Sequence, residues 1–230
     1  MKMANMNEKM KIKVLKDGPY VVTGNVPLGE KIIEPIENEY VFKDGRKFPL
    51  TEEYYLCRCG KSKDKPFCDG SHEKAGFKGT ETASKDLFED RADLLVGPEL
   101  DLLDDSRCAF ARFCHRNEGN VWELTESSDD PHLREEAIIA ASDCPAGRLV
   151  AVEKDGTMIE PQLEPSIDII QDPEKAVSGG IYVQGNILVE SADGQVYEVR
   201  NRIMLCRCGK SRNKPFCDAS HVPAHFSDEE

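Results

Sequence analysis

The sequence predicts an α+β chain in three parts: a small β-rich domain over residues 1–86, a part-helical domain over 87–165, and a second small β-rich domain over 166–230. Three observations carry this. Residues 57–72 recur at 206–221 with 13 of 16 positions identical, which is an internal duplication. The stretch between the copies changes from alternating to helical periodicity. The nine cysteines fall as Cys57, Cys59, Cys68, then Cys108, Cys114, Cys144, then Cys206, Cys208, Cys217, three groups of three.

In the first copy, alternating β-branched and aromatic residues predict strands at 20–26, 39–42 and 53–56, broken by Lys43-Asp44-Gly45 and Pro49. The matching segments of the second copy are 181–189, 195–199 and 202–205, with Ala192-Asp193-Gly194 as a hairpin turn. After the last strand of each copy, Cys-x-Cys-Gly-Lys-Ser reads as a loop. Asp69 or Asp218 then caps a short helical turn carrying a histidine. Between the copies, residues 131–141 read as a helix, with Leu133, Ala137, Ile138 and Ala141 at helical spacing, running into Cys144-Pro145. Residues 149–153 and 157–160 flank Lys154-Asp155-Gly156 as a hairpin. The acidic stretch 99–105 reads as an exposed strand or connector, 161–175 as a linker, and Trp122 as core.

Composition narrows the function. Hydrophobic residues make up 39% and charged residues 32%, in the range of globular proteins. A net charge of −13 repels a phosphate backbone, so nucleic acid is not an expected partner. No apolar run approaches a membrane span, and residues 1–16 lack the apolar core of a secretory signal, so a cytoplasmic protein with no membrane association is expected. An odd cysteine count without a secretory signal argues against a disulfide framework. There is no Gly-rich dinucleotide fingerprint, P-loop, Cys-x-x-Cys or nucleophile elbow, so an enzyme is not expected. His115, His132 and His225 fit no ligand spacing and read as surface or satisfied histidines.

Each copy gathers three thiolates and one imidazole within sixteen residues: Cys57, Cys59, Cys68 and His72, and Cys206, Cys208, Cys217 and His221. Such a set closes a tetrahedral, thiolate-rich site, and the ligand types alone leave zinc and an iron-sulfur cluster both open. Cys57-Arg58-Cys59-Gly60-Lys61-Ser62 followed by Pro66-Phe67-Cys68-Asp69-Gly70-Ser71-His72 closely resembles the signature of the CDGSH iron-sulfur family, the NEET proteins. The second copy departs from it at Ala219, where the family has glycine. The resemblance implies one [2Fe-2S] cluster per copy, two cysteines on one iron and the third cysteine plus histidine on the other. It also implies that the two copies pack as an intramolecular pseudo-dimer, since such motifs come in pairs. A neutral histidine in place of a thiolate raises the potential, and its protonation competes with iron, making the cluster acid-labile. Asp69 and Asp218 are expected behind the ligands or as helix caps, and Lys61, Lys65, Lys210 and Lys214 near enough to stabilise an anionic cluster.

Cys108 and Cys114 with a distant Cys144-Pro145 match a bacterial ferredoxin run whose central cysteine is missing, with Ala111 in its place. The segment resembles divergent single-cluster ferredoxins, with Cys144-Pro145-Ala146-Gly147 as their closing motif, and implies a ferredoxin-like middle domain. Three thiolates match [3Fe-4S]; a [4Fe-4S] cluster would need a fourth ligand that is not cysteine. The expected function is electron transfer with a redox partner protein. Cluster donation to an apo-acceptor is the alternative, and a zinc-bound structural module a more distant one.

Overall fold

The protein is described by a computed structural model covering residues 10–229. Part of the opening segment, residues 1–9, therefore lies outside the described residues. Among the described residues, no helix is long and apolar enough to cross a membrane.

The first copy supplies β1 (Lys11–Val14), β2 (Tyr20–Thr23), β3 (Leu28–Ile36), β4 (Glu39–Lys47) and β5 (Glu53–Leu56). It ends in a single-turn helix, α1 (Ser71–Lys74), and a second one, α2 (Phe88–Arg91), opens the middle segment. The middle segment supplies β6 (Asp93–Val96), β7 (Asp101–Asp104), a hairpin of β8 (His115–Arg116) and β9 (Gly119–Asn120), α3 (Val121–Glu126), α4 (Pro131–Ser142), β10 (Leu149–Val152) and β11 (Met158–Ile159). The second copy supplies β12 (Ser166–Asp172), β13 (Val177–Gln184), β14 (Leu188–Glu190) and β15 (Arg202–Leu205).

The two copies share their sheets. One sheet runs β14-β1-β2-β5 and another β15-β13-β12-β3-β4. β1 of the first copy pairs in parallel with β14 of the second, Ile12 opposite Val189. β3 pairs in parallel with β12, Glu30 opposite Ile169. Alternation along β1 and β2 turns Ile12, Val14, Tyr20 and Val22 inward. There they meet Ile167, Ile169, Ile181 and Val183 in one apolar core drawn from both copies. In each copy a Gly-Asn pair with positive φ, Gly24-Asn25 and Gly185-Asn186, ends the strand that the sequence pattern runs further.

The middle segment has its own sheet, β11-β10-β7-β6, and its own core, in which Leu100, Leu102 and Leu149 pack under α3 and α4. Helix α4 forms where the spacing predicts it, with Asp130 accepting from the His132 amide at its N-terminus and Pro131 in the first turn. The hairpin β10–β11 also forms. Trp122 is half-buried against this core, with Nε1 donating to Asp104 Oδ2 at 3.2 Å.

Several expectations are corrected. The supposed linker 161–175 contains β12, a central strand whose Ile167, Ile169 and Ile170 are buried; flanking prolines and acids mask it. The stretch 99–105 holds β7, the strand between β6 and β10, with Leu100 and Leu102 fully buried. Lys43-Asp44-Gly45 does not end a strand, because β4 runs through it on a bulge opposite Gly29 and Lys31. Residues 195–199 form only an isolated bridge, Val196 to Glu190.

Candidate metal centres

In each copy the last strand runs into the Cys-x-Cys loop, and the loop returns to clamp on the strand end. Cys57 N donates to Pro66 O at 2.8 Å and Cys68 N to Tyr55 O at 2.9 Å. In the second copy Cys206 N donates to Pro215 O and Cys217 N to Met204 O, both at 2.8 Å. The Ser62 and Ser211 hydroxyls close the turns by donating to Phe67 O at 2.6 Å and Phe216 O at 2.7 Å. Arg58 and Arg207, the residues between the paired cysteines, are buried and brace the loops from behind. Arg58 donates to Leu15 O at 2.8 Å and Arg207 to Gly179 O at 2.9 Å. Their identity in both copies is the signal by which the sequence shows them.

Each quartet is arranged as two pairs. Cys57 Sγ and Cys59 Sγ lie 3.7 Å apart, and Cys68 Sγ lies 3.3 Å from His72 Nδ1. The counterparts are 3.6 Å for Cys206 and Cys208, and 3.5 Å for Cys217 and His221 Nδ1. Neither quartet brings three ligand atoms within 4.8 Å of one another. A single zinc at about 2.0–2.3 Å from every ligand would need all four that close; two metal atoms, each taking one pair, fit the spacing. Among the described residues, the trio that does meet this limit is Glu39, Glu118 and Glu136. Arg116 already lies among them, 3.4 Å from Glu39 and 2.8 Å from Glu136.

The thiols are poised to ionise unequally. The hydrogen bond between Cys57 and Cys59 lowers Cys57 against its burial and raises Cys59 in turn. Cys206 is likewise lowered by its bond with Cys208, which is raised. Burial, then Arg207, pushes His221 down to about 4, which keeps its imidazole in the neutral form that binds metal.

The two quartets touch. A Cβ on Gly60 would lie 2.6 Å from Cys208 O, and one on Gly209 would lie 2.6 Å from Cys59 O, so the loops pack back to back at positive-φ glycines. Tyr20, absent from the sequence-based candidates, crosses from the first copy with its hydroxyl 2.8 Å from Cys206 O and 3.0 Å from Pro215 O.

The middle cysteines gather from two places. Cys108 and Cys114 lie on the irregular loop after β7, where Ser106, Phe110 and Arg112 all have positive φ. Cys144 follows the end of α4. Burial first, then the neighbouring Cys144 and Cys108, pushes Cys114 up to about 11, and burial raises Cys144. Arg148 grips Asp104 at 2.5 and 2.6 Å, with the Cys108 thiol close enough to add to the stabilisation of its charge. Ala111 is buried among Phe113, Met204 and Cys217, and offers no ligand atom.

Residues 17–73 and 178–222 match the family model described as iron-binding zinc finger, CDGSH type. Both segments are CDGSH modules. Residues 96–154 match the model of a divergent 4Fe-4S mono-cluster, which makes the order CDGSH, mono-cluster, CDGSH and the chain an iron-sulfur protein. No curated protein and no solved structure matches the chain.

Behind the CDGSH ligands the carboxylates act on the loop. Asp69 accepts from Lys63 N and Ser71 N, both at 2.9 Å, and these bonds hold it well below the usual carboxylate range. Asp218 does the same with Arg212 N at 2.9 Å and Ser220 N at 3.1 Å. The N-cap position of α1 is occupied by Gly70, not Asp69. Lys61 and Lys210 reach the thiols through the backbone: their amides donate to Cys59 Sγ at 3.4 Å and Cys208 Sγ at 3.5 Å, while their side chains are exposed. Lys214 donates to Ser211 O, and Lys65 lines a groove with Glu30, Arg46 and Asp228. Ala219 adopts φ 65, and its counterpart Gly70 has open space around a Cβ, so alanine fits the CDGSH turn. His115, His132 and His225 are all exposed.

Proposed function

We propose that this chain is a non-catalytic electron carrier with three iron-sulfur centres. Two are [2Fe-2S] clusters held by Cys57, Cys59, Cys68 and His72, and by Cys206, Cys208, Cys217 and His221. The third is [3Fe-4S], with [4Fe-4S] as the alternative, held by Cys108, Cys114 and Cys144. The observation that carries the reading is the division of each CDGSH quartet into a thiol pair and a thiol-imidazole pair, which suits two irons and not one zinc. Each cluster, when bound, supplies a site for one electron; the surrounding chain supplies burial, thiolates and a neutral imidazole.

The domains are taken as 1–86, 87–165 and 166–230, with the two outer ones forming a pseudo-dimer within a monomer. Support comes from the two parallel strand pairings between copies and their common core. For the middle site, burial of Ala111 where a fourth thiolate would sit favours [3Fe-4S], although the matching family model is described as 4Fe-4S. Nine free cysteines suit a reducing, cytoplasmic setting. The partner is a redox protein, and no nucleic acid or membrane is involved.

A second reading is cluster donation to an apo-acceptor, favoured by the half-exposed Cys68 and His72, since a metal atom released at that end has a path to solvent. Iron, sulfide and zinc analysis of anaerobically purified protein tests the assignment, with electron paramagnetic resonance before and after reduction. Zinc without sulfide would refute it. An oxidised-state signal identifies [3Fe-4S], since oxidised [2Fe-2S] is silent. Fast reversible reduction without iron loss supports electron transfer, whereas iron loss to an apo-acceptor supports donation.

A further inference from the structure

The three ligand sets differ in what surrounds them. The duplication places Phe67 and Phe216 at matched positions, one residue before Cys68 and Cys217. Phe67 meets Phe48 edge-on, 5.5 Å between centroids. Phe216 likewise meets Tyr197 edge-on, at 5.2 Å, and in addition carries the Arg107 guanidinium 4.3 Å from its ring centroid. Arg107 directly precedes Cys108, so a single side-chain contact ties a middle cysteine to a cysteine of the second copy.

A second tie runs in parallel. Arg202, on β15 four residues before Cys206, is fully buried and donates to Ala141 O at 2.8 Å and Cys144 O at 2.9 Å. At the offset of the repeat, Arg202 falls on Glu53, an exposed residue whose carboxylate accepts from the neighbouring Tyr55 hydroxyl. The apolar contacts reach both copies, since Ala109 and Ala111 share a cluster with Ile33 of the first and Met204 of the second and Phe113 meets Phe42 at 4.4 Å, but the CDGSH ligand in that cluster is Cys217. Charge lies here too. Arg91, Arg107 and Arg200 are each at most 15% exposed; Arg91 and Arg107 pair with Asp105, Arg91 also with Glu198, and Arg200 with Glu160. Of these, Arg107 adjoins Cys108 in sequence and lies on the ring beside Cys217, which places its guanidinium where bound clusters would add negative charge. The two histidines differ in exposure: His72 is half-exposed while His221 is 3% exposed.

We propose that Arg107 on Phe216, with Arg202 bracing Cys144, couples the middle ligand set to the set of the second copy alone, so that the three sets form a series: middle, second, first, with the His72 end outermost. This rests on the iron-sulfur reading above. One electron exchanged across the bridge oxidises the iron of one set and reduces that of the next; no bond breaks and no proton moves. Arg107 is a positioning residue, holding one cysteine loop against the other and placing its charge between them.

The test uses the full chain, purified anaerobically and titrated with dithionite, with iron and sulfide measured first. Their absence from the wild type would defeat the iron-sulfur reading itself, a failure distinct from that of the series. The readout is microwave-power saturation of the middle site's paramagnetic signal, at poises where it coexists with a signal from a CDGSH site. Emptying the second site with Cys206→Ser and Cys208→Ser should lower the half-saturation power severalfold, and emptying the first with Cys57→Ser and Cys59→Ser should leave it as in wild type. Equal effects, or a larger effect from the first site, would overturn the series. Because serine variants disturb folding, Arg107→Leu provides a second measurement. The middle and second potentials should fall while the first stays fixed, Arg107→Lys should recover most of the shift, and Phe67→Leu should leave the middle potential unmoved. Iron loss confined to the middle and second sites also supports the bridge. Unmoved potentials, or iron loss spread over all three sites with lysine no better than leucine, would overturn it.

Discussion

Replacing Arg202 with methionine removes the one side chain that closes the C-terminal end of α4. Its guanidinium donates to Ala141 O at 2.8 Å, Ser142 O at 2.6 Å, Cys144 O at 2.9 Å and Leu149 O at 3.3 Å, and pairs with Glu160 at 3.0 Å. Methionine keeps the apolar stem but withdraws the charged donor from all four carbonyls; Ala141 O and Cys144 O keep the amides of Cys144 and Gly147, at 3.2 and 3.1 Å. Hydrogen bonds to a charged donor contribute about 1.5–3 kcal/mol each, and removing one partner of a buried ion pair costs about 3–5 kcal/mol. Glu160 is 27% exposed and can be rehydrated, so the lower part of that range applies. The expected loss is about 3–4 kcal/mol, including the favourable placement of a cation at a helix C-terminus. For a chain of this size that lowers the melting temperature by about 10 °C. Anaerobic urea unfolding followed by circular dichroism measures it, with iron analysis of the folded fraction. Iron should fall at the middle site first, because Cys144 is one of the groups released. A loss below about 1 kcal/mol would refute the account of Arg202 as the clamp.

Further outcomes follow from the CDGSH sites. Asp69 is held below the usual carboxylate range by amide hydrogen bonds, so its stabilisation is present above the unfolded carboxylate pKa and is lost as pH falls through the lower folded one. The stability gap between wild type and Asp69→Ala, read from denaturant midpoints, should therefore be full at neutral pH and close in strong acid. Gly60→Ala should deplete iron at both CDGSH sites, since its Cβ would sit 2.6 Å from Cys208 O. Gly70→Ala should cost only about 1 kcal/mol of backbone strain with iron retained; equal iron loss in the two variants would count against the packed glycines. Stopped-flow acidification should bleach the CDGSH sites in two phases, the half-exposed His72 site first, and His72→Cys should slow that first phase and lower its potential. A variant that bleaches as fast as wild type would show that His72 is not a ligand.

The ligand sets were legible because they are local. Sixteen residues contain each CDGSH quartet, and repetition marks every side chain the loop requires, including the buried Arg58 and Arg207. What stayed hidden depends on partners distant in sequence. Ile12 and Val14 alternate with Lys11 and Lys13 in a strand pattern, but nothing nearby shows that the partner is β14. Strand β12 is buried on both faces from Ile167 to Ile170, yet its Asp168 and Gln171 give it the composition of a connector; their partners, Gln184 and Asp228, come from elsewhere in the chain. Arg202 reads as an ordinary strand residue until α4 is brought against it. At Ala219 the departure from glycine meets open space, as at Gly70, and its cost is the backbone strain of a positive φ.

The exchange of strands between the copies also sets the order in which the molecule can be made. When residues 11–56 leave the ribosome, β1 and β3 each present an open edge whose partner, Leu188–Glu190 or Ser166–Asp172, has yet to be synthesised. The middle sheet closes on itself and is complete as soon as Ile159 emerges. The first cysteine loop thus waits through the whole birth of its neighbour, with reactive thiols and a sticky strand edge uncovered. The edges of β1 and β3 are covered only once Leu188–Glu190 and Ser166–Asp172 have been made.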